Sequence, residues 1–431
     1  MEADRTDARR LALVVALAAA LMSPGAANAA LDRDAPVPDD YVQRFSAMRN
    51  IPADEARRTL QVQQRGYDLG DVLPERLGDD YAGVWFDQDA GRYKVPLAGG
   101  RGRERVRQAL VARGLDGDAD VVAARHPFTE LTAEQRRLTA LLDDLLAARK
   151  LLVGIDSIRN VVAVEVSDEL TVGERRRVDA AAAASGGAAV VRTAEGGALD
   201  ADAQTCVFRS GWASGCHRPF RMGVSIFSWS NPSSWCTAGA KAADGRGNVF
   251  VLTAGHCVRS IGEWGAFDPG QPDIWTQSRY LGWSSGYLYN GYGDGGRVHV
   301  RPDSWWNVCC WPHSHVGWGM YDYRTFQAKA RPQPGQVGCH QGATGGSHCG
   351  TVDLVNTGVT YSDGTTLGNM TRWRDSCGLG GDSGGPWEWA WVHYGLHSGG
   401  NACGSSGTTY SYSFDTAHAE FALGVTVLIG S

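Results

Sequence analysis

All ten cysteines and 14 of the 15 tryptophans of this 431-residue chain lie after position 205, with Trp85 the one tryptophan before it. That uneven division constrains the fold more than any other feature. An even number of cysteines confined to one half marks a unit closed by disulfides. The same half holds only 14 of the 41 Lys and Arg and 14 of the 47 Asp and Glu residues, so it is near neutral while the half before it is charge-rich and mildly acidic. Halves of roughly 170 and 225 residues are each long enough for a core of their own.

The first 29 residues stand apart from both. Arg9-Arg10 precede an apolar run from Leu11 to Met22, Pro24 and Gly25 break it, and Ala27-Asn28-Ala29 has the small-residue pattern of a cleavage site. A run of about 12 apolar residues is too short to span a bilayer, which takes about 20, and the three-part pattern is that of an export signal. The expectation is a secreted, extracellular protein with no membrane segment. A net charge of −6 gives no basic surface for nucleic acid or an anionic membrane.

Residues 30–203 read as α+β. A helix is expected over 52–64, with Asp54 and Glu55 in its first turn, where the helix dipole favours acidic groups. Paired strands are expected over 82–86 and 92–95 around Asp89-Ala90-Gly91. Thr132 and Gln135 have the spacing of a capping box, followed by Leu138, Leu141, Leu142, Leu145 and Leu146 at helical intervals. A strand over 161–166 and an alanine-rich helix over 180–189 complete the region. From residue 204 to 431 the pattern changes to short apolar runs broken by Gly, Ser, Asn and Pro, among them 249–252, 350–355, 358–361, 392–396 and 424–429. Many short strands without long helical periodicity indicate an all-β barrel or sandwich.

Two strings in this half carry chemistry. Thr253-Ala254-Gly255-His256-Cys257 offers an imidazole base, and Gly381-Asp382-Ser383-Gly384-Gly385, followed by Pro386, offers a serine hydroxyl between glycines. A serine hydroxyl is a weak nucleophile until a base takes its proton and donors stabilise the oxyanion that forms. Flanking glycines permit the unusual dihedrals that turn backbone N–H groups toward one point. Both strings together, in this order, point to a serine peptidase with Ser383 as nucleophile and His256 as base.

Leu252 through Cys257 and Gly381 through Pro386 resemble the His and Ser motifs of chymotrypsin-like serine peptidases. The bacterial streptogrisin and α-lytic group is the more similar branch: Cys377 stands further before Ser383 than in the animal enzymes, Cys339 through Cys349 resembles that group's small disulfide loop, and Ser398-Gly399-Gly400 resembles its substrate-pairing strand. The stretch from Tyr41 to Val166 resembles the group's pro-regions. The resemblance implies two six-stranded antiparallel β-barrels for 204–431, and for 30–203 a pro-region that acts as folding aid and inhibitor. It also implies oxyanion donors at the Gly381 and Ser383 N–H groups, and disulfides Cys236–Cys257, Cys339–Cys349 and Cys377–Cys403. Asp382 is expected to pair with an internal arginine among Arg324, Arg331, Arg372 and Arg374.

Other assignments stay open at this point. For the third triad member, Asp294 in Asp294-Gly295-Gly296-Arg297-Val298 matches the bacterial pattern, and Asp322 is its rival; Asp268, Asp273 and Asp303 are further candidates. For the specificity pocket, Asp375 resembles the base of a pocket for basic side chains, and His397 resembles the pocket histidine of glutamate-selective relatives. A neutral pocket, with His397 paired to Asp375, is the third possibility. Cys309-Cys310-Trp311-Pro312-His313-Ser314-His315 has metal-ligand residue types, but in an exported chain these cysteines are expected in disulfides, with Cys206–Cys216 as a further local closure. No metal or cofactor is expected. The reading is a monomeric secreted serine endopeptidase made as a zymogen, acting on proteins or peptides. Its rival is an inactive homologue that binds proteins through the same cleft.

Overall fold

The computed structural model describes residues 31–194, 200–201, 222–267, 278–301, 315–317 and 323–430. The signal segment, Cys206, Cys216, Asp268, Asp273, Asp303, Cys309, Cys310, His313 and Asp322 lie outside the described residues.

The C-terminal half forms two antiparallel sheets around separate cores, as the resemblance implies. In the second, six strands close on themselves: Val337–Gly342, Pro386–Trp389, Val392–Gly400, Tyr410–Asp415, Thr366–Arg374 and Gly346–Thr360 pair in that order, and the last pairs back to the first. Closure of this kind leaves no free edges inside the ring. The runs expected over 350–355 and 358–361 are one long strand whose register shifts three times, so a single segment bends around the barrel. In the first sheet Val249–Thr253 lies between Ala240–Ala243 and Gly293–Val300, and Gly293–Val300 pairs in turn with Ser278–Asn290. Its core gathers Ile226, Val251, Val258, Trp264, Leu281 and Val298. Trp264, from the tryptophan-rich stretch, is thus a packing residue.

The N-terminal region is α+β, with helices at Asp39–Arg49, Ala53–Arg65, Leu69–Leu77, Arg103–Val111, Phe128–Leu141 and Val172–Ala183. The Thr132–Gln135 capping box needs correcting. The helix starts at Phe128, so Thr132 sits inside it and its hydroxyl bonds back to the Phe128 carbonyl at 2.8 Å. The capping box of this region is Thr171 with Glu174, at the head of a helix that begins well before residue 180.

The two halves are joined by more than the chain. Strand Leu151–Asp156 pairs with Gly346–Thr360 and extends the closed barrel outward through Val161–Val166 and Ala189–Thr193. Tyr41, Phe45 and Leu60 share one core with Trp373, Trp387, Trp389 and Tyr394. Buried polar groups match across the junction as well. Tyr41 donates to Glu388 at 2.7 Å, and Glu165 lies between Arg372 and Arg192, with Asp353 on the other side of Arg372.

Candidate active site

The site lies between the two sheets, and each takes part in building it. Strand Val249–Thr253 runs directly into the short helix Gly255–Ser260, which carries His256 in its first turn. Cys257 is tied to Cys236 by a disulfide, so the helix is anchored beside the strand Trp235–Thr237. Asp294 stands near the start of Gly293–Val300, which pairs with the His256 strand. Ser383 comes from the second sheet, in the turn before Pro386–Trp389. That turn needs its glycines. Gly381 and Gly384 have φ values of +96° and +85°, and a Cβ on Gly381 would lie 2.2 Å from the Trp235 indole nitrogen. A side chain at either position is strained by backbone and neighbours alike.

These elements bring three side chains into line. The Ser383 Oγ is 2.9 Å from His256 Nε2, and His256 Nδ1 is 2.8 Å from Asp294 Oδ2. Asp294 also accepts the His256 backbone N–H at 3.0 Å, which fixes the ring's position relative to the carboxylate. All three residues are buried. With its Nδ1 facing a carboxylate, the imidazole carries a proton there and presents a lone pair at Nε2 to the serine hydroxyl.

Ser398 has a place that the sequence did not suggest. Expected only to pair with substrate, it also donates its hydroxyl to Asp294 Oδ2 at 2.6 Å and accepts one from Tyr361 at 3.0 Å. Its carbonyl is 3.3 Å from Ser383 Oγ. Ser398 stands out in the sequence only through the string Ser398-Gly399-Gly400, and nothing in a linear sequence joins it to Asp294 or Tyr361.

Asp382 is fully buried, and its carboxylate accepts the N–H groups of Leu379, Thr344 and Gly345 at 2.8 to 2.9 Å. The internal arginine expected for it needs revising for two of the four candidates: Arg372 is held by Glu165 and Asp353, and Arg331 by Asp71. Three N–H donors thus converge on one carboxylate and tie the Ser383 turn to the 344–345 loop.

The specificity residues separate. Asp375 lies at the surface: its side chain is 71% exposed, its φ is +63°, and its carboxylate is 4.0 Å from Arg374. His397 is fully buried. The Trp387 indole donates to its Nδ1 at 3.2 Å, so its ring proton resides on Nε2. His397 stacks on His340 with ring centres 4.2 Å apart, and His340 stacks in turn on His348 at 5.6 Å. Burial, with the adjacent His397 imidazole adding to it, holds the His340 pKa well below the ordinary histidine value. His340 Nε2 donates to the Cys377 carbonyl at 2.8 Å, which ties this histidine row to the segment before Ser383. Gly399 and Gly400 lie on the strand Val392–Gly400 beside Ser398, as the resemblance implies.

The disulfides Cys236–Cys257, Cys339–Cys349 and Cys377–Cys403 are all formed. His348 lies beside the two sulfurs of Cys377–Cys403, a grouping of metal-ligand type in which the disulfide occupies both cysteines.

No protein-family profile matches the chain. Among characterised proteins, Streptogrisin-C of Streptomyces griseus is 32% identical over 195 residues, covering 42% of this chain and 36% of that protein. That match thus spans about a third of Streptogrisin-C. Serine protease 1 of Streptomyces fradiae is 27% identical over 412 residues, 94% of each chain, and Streptogrisin-D of Streptomyces griseus is 28% identical over 375 residues, covering 85% of this chain and 81% of that one. A solved glutamic acid-specific serine protease, described as using a novel histidine triad in substrate binding, is 28% identical; the alignment covers 48% of this chain and 98% of that one, with a TM-score of 0.39. The matches to Serine protease 1 and Streptogrisin-D extend well beyond the Ser and His motifs into the N-terminal half, and by sequence the chain is similar to bacterial serine proteases of the streptogrisin kind.

Proposed function

We propose that the chain is a secreted serine endopeptidase made as a zymogen, with Ser383, His256 and Asp294 as its catalytic triad. The observation that carries this reading is the unbroken line from the Ser383 hydroxyl through His256 to Asp294, at 2.9 and 2.8 Å. His256 Nε2 takes the serine proton as Oγ bonds to the substrate carbonyl carbon. The resulting oxyanion receives the N–H groups of Gly381 and Ser383. Asp294 keeps the imidazole in the tautomer that accepts this proton and stabilises the imidazolium, without itself becoming protonated. The proton then passes to the leaving amine, and water repeats the sequence on the acyl-enzyme.

The zymogen reading has support from the backbone. Asp200 and Ala201, the last described residues of the N-terminal half, pair antiparallel with Gly400 and Gly399, on the strand expected to receive substrate. This pairing supports reading residues 30–203 as a pro-region whose end occupies the substrate-binding strand until it is cut. With the Asp375 charge at the surface, the specificity pocket is read as one for neutral or acidic side chains rather than basic ones, and a comparison of chromogenic peptides ending in Glu, Phe or Lys tests this.

The central test uses the full chain secreted from a host cell. Stoichiometric labelling of Ser383 by a fluorophosphonate, with peptide hydrolysis and release of the N-terminal region, supports the proposal. Ser383→Ala should lose all three, with a fall in kcat of roughly 10⁶. An unlabelled, folded wild-type protein would instead identify a binding module built on the same fold.

A further inference from the structure

We infer that Thr237 is a positioning residue that sets the oxyanion-forming loop, an inference that rests on reading Ser383 as the nucleophile. Thr237 ends the strand Trp235–Thr237 and is fully buried. It follows Cys236, whose disulfide partner Cys257 is next to His256.

Four hydrogen bonds converge on this one residue. Its hydroxyl donates to the Gly381 carbonyl at 2.7 Å and accepts the Ala343 N–H at 2.9 Å. Its backbone N–H donates to the Ser383 carbonyl at 2.8 Å, and its own carbonyl accepts the Thr253 hydroxyl at 2.8 Å. Thr237 therefore grips both ends of the segment Gly381–Asp382–Ser383, whose first and last N–H groups are the expected oxyanion donors. Each of these carbonyls lies in the peptide plane that follows its residue, so pinning both restricts ψ at Gly381 and Ser383 and limits how the preceding planes, which carry the two donor N–H groups, can turn.

The grip extends to the loop's other supports. Ala343 directly precedes Thr344 and Gly345, whose N–H groups hold the Asp382 carboxylate. Through Ala343 the Thr237 hydroxyl thus registers the loop that anchors Asp382. Through its backbone carbonyl, which accepts the Thr253 hydroxyl, Thr237 is joined to the strand leading into His256. One residue thereby couples the nucleophile turn to the base-bearing strand, across the boundary between the two sheets.

A buried threonine with a satisfied hydroxyl is ordinarily a core residue. The difference here lies in what it holds: a loop whose donors must meet the oxyanion at 2.7 to 3.1 Å, where a small displacement weakens catalysis more than binding. Thr237→Val keeps the shape and removes the hydroxyl, leaving the Gly381 carbonyl and Ala343 N–H without their partner. Thr237→Ser keeps both bonds.

The test is steady-state hydrolysis by the secreted full chain after maturation, normalised to sites titrated with a fluorophosphonate, alongside the melting temperature. Thr237→Val should lower kcat by about 10- to 100-fold with KM within about twofold of wild type, and weaken a peptide boronate inhibitor by a similar factor. Thr237→Ser should recover most of kcat. The inference is overturned if Thr237→Val keeps wild-type kcat, or if the loss appears equally in KM, or if Thr237→Ser is as slow as Thr237→Val. Should Thr237→Val fail to accumulate as folded protein, Thr237→Ala removes the same hydroxyl without adding bulk and is read by the same criteria. Ser383→Ala in parallel separates this outcome from failure of the nucleophile assignment: a Ser383→Ala protein that still turns over would remove the premise, whatever Thr237 does.

Discussion

Replacing Asp415 by Asn should remove a pH dependence from the stability of the second barrel. Asp415 ends the strand Tyr410–Asp415 and precedes the helix Thr416–Leu423. It is 5% exposed and accepts the Thr371 hydroxyl at 2.7 Å. Burial pushes its pKa up from 3.8 to about 7, against the Thr371 hydrogen bond and the Arg331 charge, which lower it, while Asp71 adds to the rise. His418 Nδ1 lies 3.7 Å away and faces the same carboxylate. A raised folded-state pKa means that the folded protein holds this proton more tightly than the unfolded chain. The associated stability is fully present below the unfolded pKa near 4, declines between about pH 4 and 7, and is gone above that range. A shift of about 3 units corresponds to a loss on the order of 4 kcal/mol across this window. Asn cannot ionise, yet its carbonyl still accepts from Thr371. The difference in melting temperature between Asp415→Asn and its parent, both carrying Ser383→Ala to prevent autolysis, should therefore change with pH. The variant should match or fall slightly below the parent at pH 4 and melt several degrees higher at pH 8. Parallel curves from pH 4 to 8 would refute the assignment of this titration to Asp415.

Three further substitutions probe the site and the junction. Asp294→Asn should lower kcat by about 10⁴, because an amide favours the wrong imidazole tautomer; a turnover near wild type would show that another carboxylate orients His256. Ser398→Ala removes the hydroxyl that donates to Asp294 and should lower kcat by about tenfold. It should also move the acid limb of the pH–rate profile upward, since a less stabilised carboxylate makes His256 a stronger base; an unmoved limb would confine Ser398 to substrate pairing. Glu165→Gln leaves Arg372 and Arg192 without the carboxylate between them, and breaking a buried pair costs about 3 kcal/mol or more. Inhibition of the mature enzyme by separately made residues 30–203 should weaken about 100-fold, and an unchanged inhibition constant would exclude this ion cluster as a determinant of association.

The triad candidates were legible because their signals are local. Strand, turn and glycine chemistry around His256 and Ser383 are written in consecutive residues, and the pattern around Asp294 is nearly so. The disulfide pairing came from resemblance, since spacing alone does not choose partners. The two sheets were legible as short apolar runs, although the one strand Gly346–Thr360 read as two pieces where its register shifts. The helix Thr416–Leu423 was missed because its residues give no apolar stripe: Ala419 and Leu423 are buried, while Phe421 is 81% exposed. The capping box at Thr132 failed for a different reason. The helix had already begun at Phe128, after Pro127, and a threonine one turn inside satisfies its hydroxyl on the preceding carbonyl instead.

What the sequence could not convey is pairing between distant buried polar groups. Asp375-Ser376-Cys377 resembles a pocket for basic side chains, but the string does not convey that Asp375 has a left-handed backbone and an exposed side chain. The Asp382 carboxylate accepts three backbone N–H groups, contacts invisible in side-chain identities. Thr237 and Ser398 are ordinary residues in the sequence, and folding alone places their hydroxyls on the Gly381 carbonyl and the Asp294 carboxylate. The same holds for the junction between the halves. Tyr41 and Glu388, or Glu165 and Arg372, are far apart in the chain and nearly or fully buried together. A segment that merely covered the cleft would need no such matched interior. Apolar packing of Tyr41 and Phe45 on Trp389, and an ion cluster shared across one continuous sheet, support the proposal that residues 30–203 are a pro-region that helps shape the barrel while it folds.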